Sequence, residues 1–512
     1  MTEMTVHQEQ CHDCAQAQPL GWRQSFFRKL LFTKLKCLSS GRLLLKECWD
    51  QGGEFEFGRC CESEHGLQRT DAFELHRGAN RSAASAADKS PAAEHGLTVT
   101  LWVNDPAFYQ RAVLGGSLGV AESLLQGEWS CSDLTALVRM FIRDLRVTDS
   151  LRQGLSRVSH GLHQISQWIR RNTVAGSRRN IAAHYDLGND FYRLWLDDTL
   201  NYSCGIFRHA EDTMASASIA KMDRICQLLQ LNPGDHVVEI GTGWGGFAVY
   251  AATHYGCRVT TTTISEEQFR YASQRVMDAG LSDRVRVVRK DYRHLTPADA
   301  AWADSDGTPK VVDAMGSHPT DRASVGFDKL VSIEMIEAVG HQFYPVYFQK
   351  CDELLKPDGQ AVLQAIVIAD ERYEFHRRSV DFISQYIFPG GMLPSISAMT
   401  SIAASAGGLR LLQLDDFAPH YAETLRRWRR RFHDQLASIH QLGFDRRFIR
   451  MWDYYLAYCE AAFEESQVNL VQLHFAKRGY RKPLACGSSG NHVTTRLTQG
   501  ERASAEPAGC GL

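Results

Sequence analysis

No apolar stretch in the 512 residues reaches the roughly 18 needed to cross a bilayer, so no spanning helix is expected. No secretory signal peptide is legible, and the 14 cysteines are scattered, which fits a reducing, cytoplasmic setting better than a disulfide framework. The formal net charge is only -2, so the whole chain is no polyelectrolyte and no nucleic-acid partner is expected. Any affinity for an anionic surface must come from local patches. Cys11-His12-Asp13-Cys14 lacks the second pair that would complete a zinc site, and no metal is expected.

What is present is globular composition, 44% hydrophobic and 23% charged, over a length sufficient for two or three domains. The organising stretch is Pro233 to Gly246. A turn precedes the apolar run Val237, Val238 and Ile240, a glycine-rich bend follows, and Phe247 to Tyr250 open a helix. Strand, bend and helix start together let backbone approach a ligand closely. A nicotinamide site wants an acid at the end of the next strand, yet Cys257 to Thr263 ends in threonines. The acid comes early, as Glu239, and suits a cationic methionine-type ligand. This pattern resembles motif I of the S-adenosylmethionine methyltransferases.

Along the chain, residues 1–95 read as a variable extension, polar and disordered over 1–19. Trp22, Phe26, Phe27, Leu30, Leu31 and Leu35 interleave with five basic residues over 21–38. That stretch is either a helix lying on an anionic bilayer or one docked on its own domain. Residues 78–95 read as a linker. A small α-rich domain follows over 96–175, with a strand at Leu97–Val103, helices at 120–126 and 133–145, and a connecting helix at 151–172. From 176 to 480 strand and helix signals alternate, giving a doubly wound α/β domain. Strands are expected near 236–241, 257–263, 284–290, 327–333 and 359–368, with a closing strand at 467–477. Residues 298–325 read as a surface insertion and 481–512 as a disordered tail.

The ordered motifs His184-Tyr185-Asp186, Tyr202-Ser203-Cys204, Glu239 to Gly246, Thr263 to Gln268, Asp291-Tyr292-Arg293, Glu334 to Gly340, Tyr386 to Pro394 and His420-Tyr421 resemble the cyclopropane-fatty-acyl-phospholipid synthases and mycolic acid cyclopropane synthases. The resemblance covers roughly 97–480. It implies a Rossmann-like class I methyltransferase domain with a seven-stranded sheet. It places Tyr185, Tyr202, Ser203, Glu239, Gly241, Gly243, Thr263, Gln268 and Tyr292 around S-adenosylmethionine. It also implies a bicarbonate ion as catalytic base, held by Cys204, Glu337, Tyr421 and the backbone of Ile366. The family's histidine at this site is Gln364 here, which can donate a hydrogen bond but cannot carry charge.

The implied reaction adds a methylene to the cis double bond of an unsaturated phospholipid acyl chain, closing a cyclopropane ring. Phe382, Tyr386, Ile387, Phe388 and Met392 are candidates for an acyl tunnel. Arg426, Arg427, Arg429, Arg430, Arg431, Arg446, Arg447 and Arg450 are candidates for a membrane-facing patch, making the protein peripheral on the membrane. A homodimer is allowed for. Two rivals stay open: a methyltransferase leaving a methyl or methylene branch or acting on a small amine, and a lipid-surface binding protein with a degenerate cofactor site.

Overall fold

The computed structural model describes residues 20–49, 52–58, 96–144, 187–302 and 325–481. The expectations for Cys11–Cys14, the 78–95 linker, the 151–172 helix, Tyr185 with its neighbours, most of the 298–325 insertion and nearly all of the tail lie outside these residues.

The N-terminal part is built on a four-stranded sheet. Its strands are β1 (Gly41–Glu47), β2 (Glu54–Gly58), β3 (Leu97–Val103) and β4 (Trp129–Cys131), in the order β2-β1-β3-β4. β1 runs parallel to β3, with Gly41 opposite Leu97. A boundary at residue 95 therefore cuts through a sheet, and the extension contributes two of its strands. Helices Trp22–Leu35, Ala107–Gln126 and Leu134–Arg143 belong to the same part.

The helix Trp22–Leu35 docks on its own domain. Leu31 and Leu35 are buried, and the Phe32 ring meets Phe55 and Phe57 at 4.8 and 5.0 Å. Arg28 pairs with Glu47, whose carboxylate also accepts the buried Tyr109 hydroxyl at 2.6 Å. The first turns behave differently: Trp22 is 78% exposed and Phe26 56%. The docked reading of this stretch holds for its second half, and the first turns are left exposed.

The catalytic part is a seven-stranded sheet of β5 (His236–Ile240), β6 (Arg258–Thr263), β7 (Val285–Arg289), β8 (Phe327–Ile333), β9 (Leu355–Ile368), β10 (Arg410–Asp416) and β11 (Val468–Ala476). The order is β10-β11-β9-β8-β5-β6-β7, and β11 runs against both of its neighbours. Each residue of β5 is buried, as a strand covered on both faces requires. The chain winds outward from β5 to β7 and returns on the other side of β5 as β8. That reversal opens a crevice at the carboxyl ends of β5 and β8.

Helices Ala418–Asp434 and Arg446–Glu464 tie the two parts into one aromatic core with Trp129, Trp195, Trp428 and Trp452. The arginine cluster is largely part of this frame. Arg426 pairs with Glu423, Glu460 and Glu464, Arg427 with Glu423, and Arg429 with Asp453 and Thr135. Asp453 is half-buried, and burial would raise its carboxyl. The charge of Arg429 and the His433 contact overcome that and hold it well below the usual range. Arg426 and Arg429 are spent on helix-to-helix ion pairs and Arg427 on Glu423 of its own helix, which corrects the reading of these three as a membrane-facing patch.

Candidate active site

A cleft of about 390 Å³ opens at the crevice. Its floor is the loop after β5. Gly241 and Gly243 have φ of 104° and 52°, in the region that favours glycine. A β-carbon at Gly243 would meet no protein atom within 4 Å, so it would project into open cleft. At Gly245 a β-carbon would stand 3.2 Å from Ala272, so this glycine serves close packing.

Glu239 lies near the end of β5, beneath this loop. It is buried, and its Oε2 has no hydrogen-bond partner. Burial pushes its carboxyl up to about 8, against the opposing pull of Thr261 and Lys221. An orphaned buried carboxyl oxygen on a cleft wall is what a cationic or N–H-bearing ligand would satisfy.

Thr263 and Gln268 line the same cleft, and the Thr263 hydroxyl donates to Gln268 Oε1 at 2.8 Å. Ser265 caps the helix Glu266–Asp278 and fixes Gln268 in its first turn. Tyr292 lines the cleft with its ring 5.5 Å from Tyr347. Tyr202 shares a 2.7 Å hydrogen bond with Tyr455 and packs on Trp195 and Trp428. Ser203 Oγ accepts from Lys221 Nζ at 2.5 Å.

Three of the five expected base-site residues, Cys204, Gln364 and Tyr421, converge, but on a residue given no role from sequence. Glu334 Oε1 accepts the Cys204 N–H at 3.0 Å and the Gln364 amide at 2.7 Å, and Oε2 accepts the Tyr421 hydroxyl at 2.6 Å. Cys204 and Tyr421, two of the ligands expected for bicarbonate, thus donate to a carboxylate of the chain itself. Gln472 Nε2 donates to Gln364 Oε1 at 2.9 Å, which turns the Gln364 N–H₂ toward Glu334. Glu334 holds this place with φ 49°, a conformation costly for a non-glycine residue.

Glu337 sits apart from that set. Its Oε1 accepts the Ile366 N–H at 2.6 Å, and its Oε2 has no partner. Burial, then the neighbouring Glu334, push its carboxyl up to about 8. Burial holds the Glu334 carboxyl above its ordinary range too, with Tyr421, Lys221, Cys204 and Gln364 pulling it part of the way back. Three donors reach Glu334 against one for Glu337, so Glu334 is the more readily ionised of the two carboxyls. The Cys204 thiol is fully buried, is raised by burial and Glu334, and donates to Gly205 O.

Of the expected tunnel residues, Phe388 and Met392 line the cleft beside Leu425, Phe463 and Val468. Phe382 and Ile387 are buried in the core instead, and the Tyr386 hydroxyl is drawn to Glu122 at 2.7 Å. A π-helical turn at Ile383–Ile387 divides these directions. Among the described residues no group of His, Cys, Asp and Glu could hold a metal, and no helix is long and apolar enough to cross a membrane.

The family model for mycolic acid cyclopropane synthetase matches residues 173–317 and 303–473. A tuberculostearic acid methyltransferase of Mycobacterium tuberculosis is 36% identical over 74% of this chain and 84% of its own length. The cyclopropane-fatty-acyl-phospholipid synthase of Escherichia coli is 33% identical over 73% of this chain and 87% of its own. The solved structure of mycolic acid cyclopropane synthase CmaA1 complexed with SAH and CTAB superposes with a TM-score of 0.50 at 29% identity, covering 59% of this chain and 98% of that one. The glycine loop, the acid beneath it and the seven-stranded sheet agree with these matches: the chain belongs to the mycolic acid cyclopropane synthetase family of S-adenosylmethionine-dependent enzymes.

Proposed function

We propose that this enzyme transfers one carbon to the cis double bond of an unsaturated acyl chain in membrane phospholipid, with the Glu334 carboxylate as the base. The observation that carries the reading is Glu334 itself, reached by three donors and facing the same cleft as the glycine loop. Bound S-adenosylmethionine would supply an electrophilic methyl group there. Glu239, Gly241, Gly243, Thr263, Gln268 and Tyr292 would hold it, as the open space at Gly243 and the orphaned Glu239 oxygen fit.

An isolated alkene is a weak nucleophile, so the cleft must hold it close and dry. Phe388, Met392, Leu425 and Phe463 supply an apolar wall, which argues against a small amine as substrate. Once the new carbon is attached, the chain carries a positive charge, which aromatic faces such as Tyr421 and Phe463 stabilise. Glu334 discharges it by accepting a proton from the new methyl group.

Immediate proton loss closes a cyclopropane ring. If hydride first moves from the methylated carbon to its neighbour, the cation becomes tertiary, and the same proton loss leaves a methylene branch. Three donors already occupy the Glu334 oxygens, leaving few lone pairs free for the methyl proton, which slows proton loss and favours the shift. Similarity to a tuberculostearic acid methyltransferase supports the same choice. The branched chain is therefore the product we propose.

The test is expression in a host lacking cyclopropane lipids, with extraction and mild hydrogenation. Both products add CH₂, but only the branch then takes up H₂. Turnover in carbonate-depleted buffer is expected to be unchanged, because Glu334 takes two of the donors expected for the anion. Activity that requires added bicarbonate, or an unmodified lipid profile, would contradict the reading.

Contact with the membrane is assigned to the exposed first turns of helix Trp22–Leu35, where Arg23 lies 5.3 Å from the Trp22 ring. Trp22→Ser with Phe26→Ser is expected to weaken sedimentation with anionic vesicles by roughly tenfold or more, since burying such a ring is worth about 1.5–3 kcal/mol. Turnover on detergent-dispersed lipid should be retained. Unchanged sedimentation would move the contact elsewhere.

A further inference from the structure

Lys221 lies in the helix Met214–Leu229, away from the cleft lining, and its side chain is completely buried. An ammonium has three N–H donors. The hydrogen bond the structure gives it runs to Ser203 Oγ. Burying a cation on so little hydrogen bonding is expensive unless anions repay it. The groups that act on it electrostatically are Glu334, Cys204, Asp197 and Glu239. Glu334 is the strongest of these and Glu239 the weakest, so the one ammonium bears on both the proposed base and the acid under the glycine loop.

We propose that Lys221 is a positioning residue that keeps Glu334 ionised and holds the Ser203–Cys204 backbone against it. This rests on the reading of Glu334 as the base. Two links run from the lysine to that carboxylate. One is direct charge. The other is mechanical: Lys221 grips Ser203, and the next residue donates its N–H to Glu334 Oε1. The remaining groups facing Glu334 are Tyr421, Tyr455 and Glu337. Both tyrosines are held neutral, chiefly by burial, and Glu337 is protonated at neutral pH, so Lys221 is the cation available to balance the base. Burial pulls the Lys221 ammonium below its ordinary range while the surrounding carboxylates push back, as a paired buried lysine requires.

The experiment is the pH–rate profile of Lys221→Met, Lys221→Gln and Lys221→Arg, with S-adenosylmethionine affinity measured on each by calorimetry. In the two neutral variants the acid limb of kcat is expected to move up by at least one pH unit. Turnover measured below the limb should fall about tenfold for every pH unit that the limb rises and should recover toward pH 9, because there the ionised fraction of the base drops in that proportion. Lys221→Arg should keep the limb near its original place. A reduced kcat with an unmoved limb in the neutral variants would overturn the proposal, as would loss of cofactor binding in both, which would make the lysine a folding element only. Glu334→Gln run alongside separates two failures. If it stays active, the base assignment is wrong whatever Lys221 does; if it is inactive and the limb is unmoved, the lysine's role alone is wrong.

Discussion

Glu334→Gln is expected to lower turnover by roughly 10²–10³ while leaving S-adenosylmethionine affinity within a few-fold, the loss typical when one preorganised charged group is removed from a reacting centre. Glutamine keeps the volume and can still accept from Tyr421 and Cys204, so the fold should persist. It cannot accept a proton at neutral pH. The expected cofactor ligands are other residues, so ground-state binding is spared. Glu337→Gln is the informative companion. It removes a carboxyl that is already protonated below about pH 8, so its effect at pH 7 should be much smaller than that of Glu334→Gln. Single-turnover kinetics with calorimetry on both variants checks this. Equal losses would mean the two carboxyls act as one unit, and a larger loss at Glu337 would reverse the assignment.

Gly243→Ala is expected to weaken S-adenosylmethionine binding by about two orders of magnitude, on the order of 3 kcal/mol, with the thermal midpoint lowered only slightly. The new methyl would meet no protein atom within 4 Å, so the folded chain has room for it. The backbone at φ 52° is one that alanine adopts at a modest cost. What the methyl fills is the space the cofactor would use. Calorimetric titration beside a melting curve separates the two effects. Near-normal affinity with a normal midpoint would put the cofactor away from this loop.

The glycine-loop half of the candidate site was legible because it is local. Strand, glycine bend and helix start lie within a few residues around Gly243, and backbone conformation there depends on residue type. The base half was legible only as a set. Cys204, Gln364 and Tyr421 stand in separate segments, and what joins them is a residue none of them neighbours in sequence. Glu334 shares one short motif with Glu337, and nothing in the pattern tells which carboxylate three distant donors will reach. One signal was available: a charged residue directly after the apolar run of β8. Its left-handed backbone was not foreseeable, because sequence gives no reason for a glutamate to accept that strain.

The missed strand β10 has a similar explanation. As an edge strand, Arg410–Asp416 is exposed or half-buried throughout, so its apolar alternation is weak. The tunnel residues were read as one wall, but the π-helical turn at Ile383–Ile387 sends neighbours in different directions. The arginines of 426–429 are spaced like a surface patch, and the facing helix Arg446–Glu464 supplies the carboxylates that claim Arg426 and Arg429.

The parallel pairing of β1 with β3 bears on what happens when the chain is shortened. A protein beginning at residue 96 would keep the whole cleft, yet β3 would lose its partner along one side. A row of N–H and C=O groups would be bared there, next to a core stripped of Leu43 and Leu45. Such an edge invites strand addition from another copy. The first segment of the chain therefore acts as a guard against self-association, quite apart from anything it does at a lipid surface.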